Sequence, residues 1–224
     1  MIAALVASCL LSKDAAVSLD WKPQVGEVHQ YKVSVQFFLD GATFNLSSDL
    51  EMRVLGVSSD GAYRLSTKTS HAVSKTAGDE QSLPDQPAIE QRFDRRGVPL
   101  DKWTKQEPDP FSDLLDHLTE YQSPGHPVKV GDTWTNGVVG PFNSLFGAPR
   151  ITYRLSDLSH SVSGEYARIS YVATDGVDPH AATGNILIAH PLNHLVHLDV
   201  VIPHFKPDGA GDEARVEVIV QERS

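Results

Sequence analysis

The sequence predicts a mainly β protein of the α+β class: a strongly curved antiparallel sheet or half-barrel of about nine or ten strands, with one main amphipathic helix packed on its concave face. Three observations predict this fold. Apolar residues recur with a period of two along most of the chain after Val28, which is the period of a half-buried strand. Turn dipeptides such as Asp40-Gly41 separate these runs. Only residues 109–125 clearly show the period of a helix.

The first half of the chain predicts an antiparallel meander with one wet face, made of strands at 28–39, 42–57 and 62–73. An exposed connection is expected over 74–88, followed by a short hairpin over 89–103. The inward faces of the first two strands are Tyr31, Val33, Val35, Phe37 and Leu39, and Phe44, Leu46, Leu50, Met52 and Val54.

The predicted helix has clear end signals. Asp109 is a good N-cap and Pro110 suits the first helical position, while Ser123-Pro124-Gly125 ends the helix. A sheet as long as the predicted one should curl, and the helix offers an apolar surface for it to curl around. The apolar stripe consists of Phe111, Leu114, Leu115 and Leu118.

The second half opens with Val-Gly-Asp at 130–132, which echoes Val-Gly-Glu at 25–27. One interpretation is a single β domain over 21–224, and the other divides it into two similar halves, 21–125 and 126–224. Further strands are predicted at 151–158, 166–174, 183–190, 194–202 and 214–221.

The composition narrows the class of protein. A chain of 224 residues fits one large all-β domain. Its net charge of −10 repels phosphate backbones, so no nucleic-acid partner is expected. The sequence has no G-x-S-x-G, no G-x-G-x-x-G and no P-loop. We therefore expect a non-enzymatic protein without a cofactor.

The first eleven residues, "MIAALVASCLL", are all apolar or small. This length is about half a membrane span and suits the core of a signal peptide. "VASC" resembles a bacterial lipobox, which makes Cys9 the candidate for lipidation. Residues 1–20 are thus predicted to be a signal-like or lipoprotein-type segment, with a truncated start as the alternative. The expected location is extracytoplasmic, in the periplasm or cell envelope, with membrane contact only through this segment if Cys9 is lipidated.

Three stretches, "FDRRGVPL", "VKVGDTW" and "TGNILIAHPLNHLVHLDV", occur in this order around the predicted helix. With the N-terminal apolar segment and the meander, they resemble bacterial exported proteins of unknown function that have long antiparallel sheets. More distantly, the pattern is similar to periplasmic lipoprotein carriers and their mycobacterial lipid-carrying relatives. That resemblance, from about Val25 onward, implies a half-barrel with an apolar cavity and transfers no functional residue.

Two main functions compete. The first is an extracytoplasmic, non-enzymatic binding module for a lipid or other hydrophobic ligand. The second is an envelope-tethered structural or protein-interaction domain with a filled core, whose partner is an envelope protein. The candidate residues for a ligand pocket are Phe37, Phe44, Met52, Leu114, Leu118 and Phe142.

A third, less favoured function is a histidine-dependent metalloenzyme. The stretch "ATGNILIAHPLNHLVHLDVVIPH" contains four of the ten histidines, and zinc needs three or four converging ligands. His190, His194 and His204 are weak metal candidates. We favour a β-hairpin whose histidines are polar residues on the wet face and at turns, and predict no metal. Glu27 and Asp132, each following a glycine, are interpreted as turn residues.

Overall fold

The computed structural model describes residues 15–101, 121–137, 150–162, 164–174, 182–205 and 213–223. Within these ranges every regular element is a β-strand, and every strand pairing is antiparallel. The strands are β1 (Val28–Leu39), β2 (Ala42–Val57), β3 (Tyr63–Thr76), β4 (Asp79–Ser82), β5 (Ile89–Phe93), β6 (Thr133–Gly137), β7 (Arg150–Ser161), β8 (Gly164–Thr174), β9 (Ala182–His190), β10 (His194–Phe205) and β11 (Ala214–Glu222).

The eleven strands form one open sheet in the order β4-β3-β2-β1-β11-β10-β9-β8-β7-β6, with β5 also beside β3. Two meanders, β1 to β4 and β6 to β11, are joined where the first strand pairs with the last. In that pairing Tyr31 lies opposite Glu222 and Phe38 lies opposite Arg215. The first and the last described strands therefore lie side by side in the middle of the sheet.

The predicted fold class is wrong for the part of the chain that the structure describes. Eleven strands replace the expected nine or ten, and no described residue is helical. Strand β4 was not predicted, because its four residues are all exposed and so lack an apolar alternation. Of the hairpin predicted over 89–103, the described residues contain one strand, β5, and an isolated bridge between Phe93 and Pro99. Most of the predicted helix, including its apolar stripe, lies in 102–120, outside the described residues. The described residues therefore contain no helix that could cross a membrane.

The buried side chains share one side of the sheet, here called the inner face. Residues directly opposite each other on paired strands point to the same side, so the pairings define this face across the sheet. It includes the even-numbered residues of β11 and the odd-numbered residues of β1 from His29 to Phe37. Its members that are at most 1% exposed include Tyr31, Val35, Leu155, Ile169, Ile186, Leu198, Val200, Val216 and Val218.

Extended segments, rather than a described helix, cover part of the inner face. Val17 and Leu19, which the sequence analysis places in the N-terminal segment, are buried in the core cluster. Val17 exchanges two backbone hydrogen bonds with Val128, of 2.8 and 2.9 Å. The Asn193 side chain, in the β9–β10 turn, donates to two backbone carbonyls of 18–20. These contacts fix the segment across one end of the sheet.

The two flanks of the sheet approach each other although they do not pair as strands in the described ranges. Arg96, just after β5, donates from Nη2 to Asn136 Oδ1 on β6 at 2.7 Å. The same side chain donates to the carbonyl of Ser123, whose N–H donates to the Arg96 carbonyl at 2.8 Å. A guanidinium therefore connects the two flanks of the open sheet.

The two Val-Gly-acid motifs form matching turns. Gly26 and Gly131 both have positive φ, of 87° and 97°, which favours glycine. In each turn the carboxylate accepts a hydrogen bond from the backbone N–H three residues earlier, which confirms that Glu27 and Asp132 are turn residues. In each turn the glycine N–H also donates to a neighbouring strand, to Val54 O at 2.9 Å and to Leu155 O at 2.8 Å.

Candidate functional site

Four polar side chains meet at one end of the sheet, where β1 and β10 begin and β11 ends. Glu27 comes from the first Val-Gly-acid turn, and His29 is the second residue of β1. His194 is the first residue of β10 and Glu222 is the last of β11. The β1–β11 pairing brings these residues together, and we call them the His–Glu cluster.

Every member of the His–Glu cluster contacts another. His29 Nδ1 lies 2.8 Å from Glu222 Oε1, and His29 Nε2 lies 2.8 Å from Glu27 Oε1. His194 Nε2 lies 3.4 Å from Glu222 Oε2. The two imidazole rings stack, with centroids 4.6 Å apart and planes inclined by 28°. Glu222 therefore contacts both histidines, one with each carboxylate oxygen.

The cluster is largely shielded from solvent. The exposed side-chain fraction is 8% for His29, 19% for His194, 20% for Glu27 and 22% for Glu222. Burial lowers the pKa of His194 and the nearby His29 adds to this effect, while the charge of Glu222 opposes it. His194 Nδ1 is buried and has no hydrogen-bond partner within the described ranges, which is uncommon for a buried polar atom.

Aromatic side chains flank the cluster. Tyr31 donates its hydroxyl to Leu195 O at 3.0 Å. Burial, followed by the charges of Glu222 and Glu27, raises the pKa of Tyr31 far above its usual range, so the hydroxyl keeps its proton. The ring of Trp21 meets that of His29 edge-on at 6.0 Å. The carboxylates and imidazoles thus lie beside a partly apolar wall.

The structure brings only one of the three weak metal candidates into this cluster. His190 Nδ1 bonds Asn193 Oδ1 at 3.0 Å, inside the β9–β10 turn. His204 is exposed and bonds Glu213 at 3.0 Å. The predicted hairpin is confirmed by the β9–β10 pairing, but His194 interacts across the sheet with Glu222 rather than with His190.

Sequence reasoning missed His29 and Glu222 as site residues, and a signal for both existed. His29 precedes Tyr31 by two positions and therefore continues the inward series of β1. Glu222 follows Val220 by two positions and continues the inward series of β11. A polar residue at an inward position of a strand needs a hydrogen-bonding partner when it is buried. The inward positions of His29 and Glu222 could therefore have marked both as members of a buried polar site.

The described pocket candidates lie at the two ends of the inner face of β1 and β2. Phe37 and Phe44 are directly opposite on β1 and β2, with ring centroids 5.5 Å apart. Met52 shares the inner face but lies opposite His29, roughly 26 Å along β2 from Phe44 at about 3.3 Å per residue. Leu114, Leu118 and Phe142 lie outside the described residues, as does the lipidation candidate Cys9.

The inner face of β1 and β2 keeps apolar side chains that are only partly buried. By contrast, the inward residues of β10 and β11 are fully buried, over Leu198 to Ile202 and over Ala214 to Val220. The two regions of the inner face therefore differ in how far their apolar side chains are exposed. The partly buried residues, which we call the apolar strip, are Val33, Phe37, Phe44, Leu46, Leu50 and Met52.

No sequence family and no curated protein matches the chain. Among solved structures, the chain is similar to lipovitellin, in a structure concerned with lipid–protein interactions, with 13% identity and a TM-score of 0.52. The match covers 91% of this chain but 26% of lipovitellin, so the chain spans about a quarter of that protein. This likeness shows a shared fold.

Two weaker likenesses are to bacterial proteins. One is a β-barrel-like protein of the domain of unknown function DUF1849 from Brucella abortus, with 10% identity, a TM-score of 0.41, and coverage of 90% of this chain and 100% of that one. The other is a DUF1329 family protein from Desulfovibrio piger, with 8% identity, a TM-score of 0.27, and coverage of 89% and 85%.

Proposed function

We propose that the protein is a non-enzymatic binding module that holds a long acyl chain of a lipid against the apolar strip. The observation that carries this proposal is the partial exposure of six apolar side chains on the inner face of β1 and β2. Apolar side chains that stay accessible on one surface often mark a binding site. Because five of the six pack against the buried core, a bound chain would extend the core rather than form a separate one.

The energetics favour a long chain over a short one. Each buried methylene contributes about 0.8 kcal/mol, whereas association costs at least ~4 kcal/mol of lost freedom. About five methylenes therefore only offset that cost. Roughly fifteen methylenes leave about 8 kcal/mol, which corresponds to micromolar affinity. We therefore expect long-chain lipids to bind and short carboxylic acids not to bind.

The likeness to lipovitellin supports this choice of ligand. That protein shares the fold over most of this chain, and its structure concerns lipid–protein interactions. The rest of lipovitellin has no counterpart here, so the proposal concerns the sheet alone. It does not extend to the rest of that protein.

We also propose an extracytoplasmic location with attachment to the membrane through Cys9. The support is the run of apolar and small residues at 1–11 and its lipobox-like "VASC". Expression with labelled palmitate in a bacterial host tests this directly. Label on the wild type and not on Cys9→Ser is expected, and unlabelled wild type would contradict it.

Titration with a fluorescent palmitate analogue tests lipid binding. Saturable binding with micromolar affinity is expected for the wild type. Phe44→Glu places a charge in the apolar strip and should weaken binding at least tenfold, since charge in an apolar site is costly. The matched control is Thr43→Glu, which adds the same charge at an exposed neighbouring position on the opposite side of β2.

The control must bind like the wild type, and both variants must keep a cooperative thermal transition. Absence of saturable uptake by the wild type would support the alternative of a protein-interaction domain. Equal loss in Phe44→Glu and Thr43→Glu would place any binding away from the strip.

A further inference from the structure

We propose that Glu27, His29 and His194 bind one Zn²⁺ ion, and that Glu222 orients the two imidazoles. One potential ligand atom from each of these three residues lies within 4.8 Å of the other two. Ligand atoms around tetrahedral zinc lie about 2.0–2.2 Å from the ion, hence roughly 3.3 Å from one another. Side-chain adjustments of about an ångström would therefore close the site without moving the strands.

The contacts of Glu222 leave one nitrogen of each ring for a metal. Glu222 Oε1 contacts His29 Nδ1 and Glu222 Oε2 contacts His194 Nε2, so the nitrogens that remain for a metal are His29 Nε2, which faces Glu27 Oε1, and His194 Nδ1. His194 Nδ1 is the buried atom without a hydrogen-bond partner among the described residues. A carboxylate that accepts a hydrogen bond from the other nitrogen is the usual partner of a metal-bound imidazole.

The third ligand is already in place. Glu27 Oε1 lies 2.8 Å from His29 Nε2, and its other oxygen accepts the turn hydrogen bond from Gln24 N at 2.7 Å. The turn therefore anchors the carboxylate with one oxygen and presents the second to the cluster. Two imidazole nitrogens and one carboxylate suit zinc, whereas Mg²⁺ and Ca²⁺ prefer oxygen ligands.

The second turn of the same chain shows that the cluster is not needed to build the turn. Asp132 occupies the position of Glu27 and accepts the equivalent backbone hydrogen bond at 2.8 Å. Trp134 occupies the position of His29 and stacks on Tyr153 with ring centroids 5.5 Å apart. The longer acid and the imidazole of the first turn are thus additions to a turn that folds without them.

Charge and burial also favour a divalent cation. The cluster contains two carboxylates, those of Glu27 and Glu222, in a site that is mostly shielded from water. Like charges that cannot be hydrated repel each other strongly. A divalent ion bound between the two carboxylates would neutralise both charges.

Isothermal titration of the untagged full chain with ZnCl₂, after removal of metals by a chelator, tests the proposal. One saturable site per chain is expected, and MgCl₂ should not compete. His194→Ala should abolish the site, and Glu222→Gln should weaken it by about 10- to 100-fold. His204→Ala is the matched control, because His204 lies on the same strand and bonds Glu213 outside the cluster.

Glu27→Asp separates the turn from the metal site. Aspartate should keep the turn hydrogen bond, as Asp132 does, but withdraw the oxygen that faces His29. Its affinity for Zn²⁺ should fall at least tenfold while the metal-free protein melts like the wild type. Zn²⁺ at about a hundredfold excess over its dissociation constant should raise the melting temperature of the wild type by roughly 5–10 °C and should not raise that of His194→Ala.

Two results would overturn the proposal. If the wild type shows no saturable Zn²⁺ binding, the four residues form only a hydrogen-bonded network within the protein. If His194→Ala binds Zn²⁺ as tightly as His204→Ala, the ion is held elsewhere. Because each variant is compared with its own metal-free form, a general loss of stability does not blur either result.

Discussion

Replacing Gly184 by alanine would place a methyl group where the sheet has no room for one. An added Cβ would lie 2.5 Å from Asp199 O on β10 and 2.6 Å from two ring atoms of Tyr171 on β8. Ordinary contacts of a Cβ begin at about 3.4 Å, so these neighbours would have to move by roughly 0.9 Å. Tyr171 is buried and its ring packs against Tyr153 at 5.7 Å, which restricts that movement.

The expected cost follows from this crowding. Overpacking a well-packed core costs about 1–3 kcal/mol. Because the added methyl group clashes with both strands that flank β9, we expect a loss in the upper part of that range, ~2–3 kcal/mol. The ratio of folded to unfolded protein should therefore fall roughly 30- to 150-fold at 1.4 kcal/mol per factor of ten. The melting temperature should fall by about 4–12 °C for a domain of this size. Urea unfolding followed by circular dichroism measures the free energy directly.

Gly56→Ala is the matched control. Gly56 lies in β2, has no heavy atom within 4 Å of an added Cβ, and like Gly184 has no positive φ. Its substitution should leave stability unchanged or raise it by about 0.4–1 kcal/mol, because alanine restricts the unfolded chain. If Gly184→Ala were as stable as Gly56→Ala, the packing of Tyr171 over β9 described above would be refuted.

Three further substitutions test other parts of the sheet by the same urea assay. Leu155→Ala should lower the free energy of unfolding by about 2–5 kcal/mol, because Leu155 is fully buried in the core. Arg96→Ala should cost roughly 1.5–3 kcal/mol, since it removes charged hydrogen bonds that connect the flanks of the sheet. Partial burial raises the pKa of Asp49, but Lys32, Arg223 and His71 outweigh it, so the net effect is a lowered pKa. Asp49→Asn should therefore lower the free energy of unfolding by less than ~1 kcal/mol at pH 7. This loss should shrink below about pH 4, where the wild type also loses the charge.

Each of these predictions has an outcome that contradicts it. Ile219→Ala, at an exposed outward position of β11, should be nearly neutral, and parity with Leu155→Ala would count against the assignment of the inner face. Arg95→Ala should hardly change the free energy of unfolding, because Arg95 is exposed and makes a long hydrogen bond of 3.5 Å. If Arg96→Ala destabilised the protein no more than Arg95→Ala, the contact between the two flanks would not stabilise the sheet. A deficit of Asp49→Asn that persists unchanged at low pH would show that the charge is not its cause.

The strands were predictable where one side is buried and the other is wet. The predicted strand at 194–202 corresponds to His194–Phe205, and that at 214–221 corresponds to Ala214–Glu222, because alternating burial imposes a period of two. Strand β4 was not predictable in this way. Its residues, Asp79 to Ser82, are exposed on both sides, so nothing selects apolar side chains at alternate positions.

The His–Glu cluster was harder to predict for a different reason. His29 and Glu222 are separated by 193 residues, and only the pairing of β1 with β11 brings them together. A local pattern identifies a strand and its inward face, but it does not identify the neighbouring strand. The turn role of Glu27 was local and therefore predictable, whereas its contact with His29 depended on burial at the sheet end.

The pairing of β1 with β11 also constrains how the protein is made. Strand β11 follows every other described strand in the chain, yet it occupies the middle of the sheet. During synthesis, the two meanders can fold through short-range hairpins, but β1 and β10 each present an unpaired edge until β11 emerges from the ribosome. Such edges invite intermolecular pairing. Nascent chains of this protein should therefore depend on a chaperone, or on rapid synthesis of the segment from β1 to β11, to avoid aggregation.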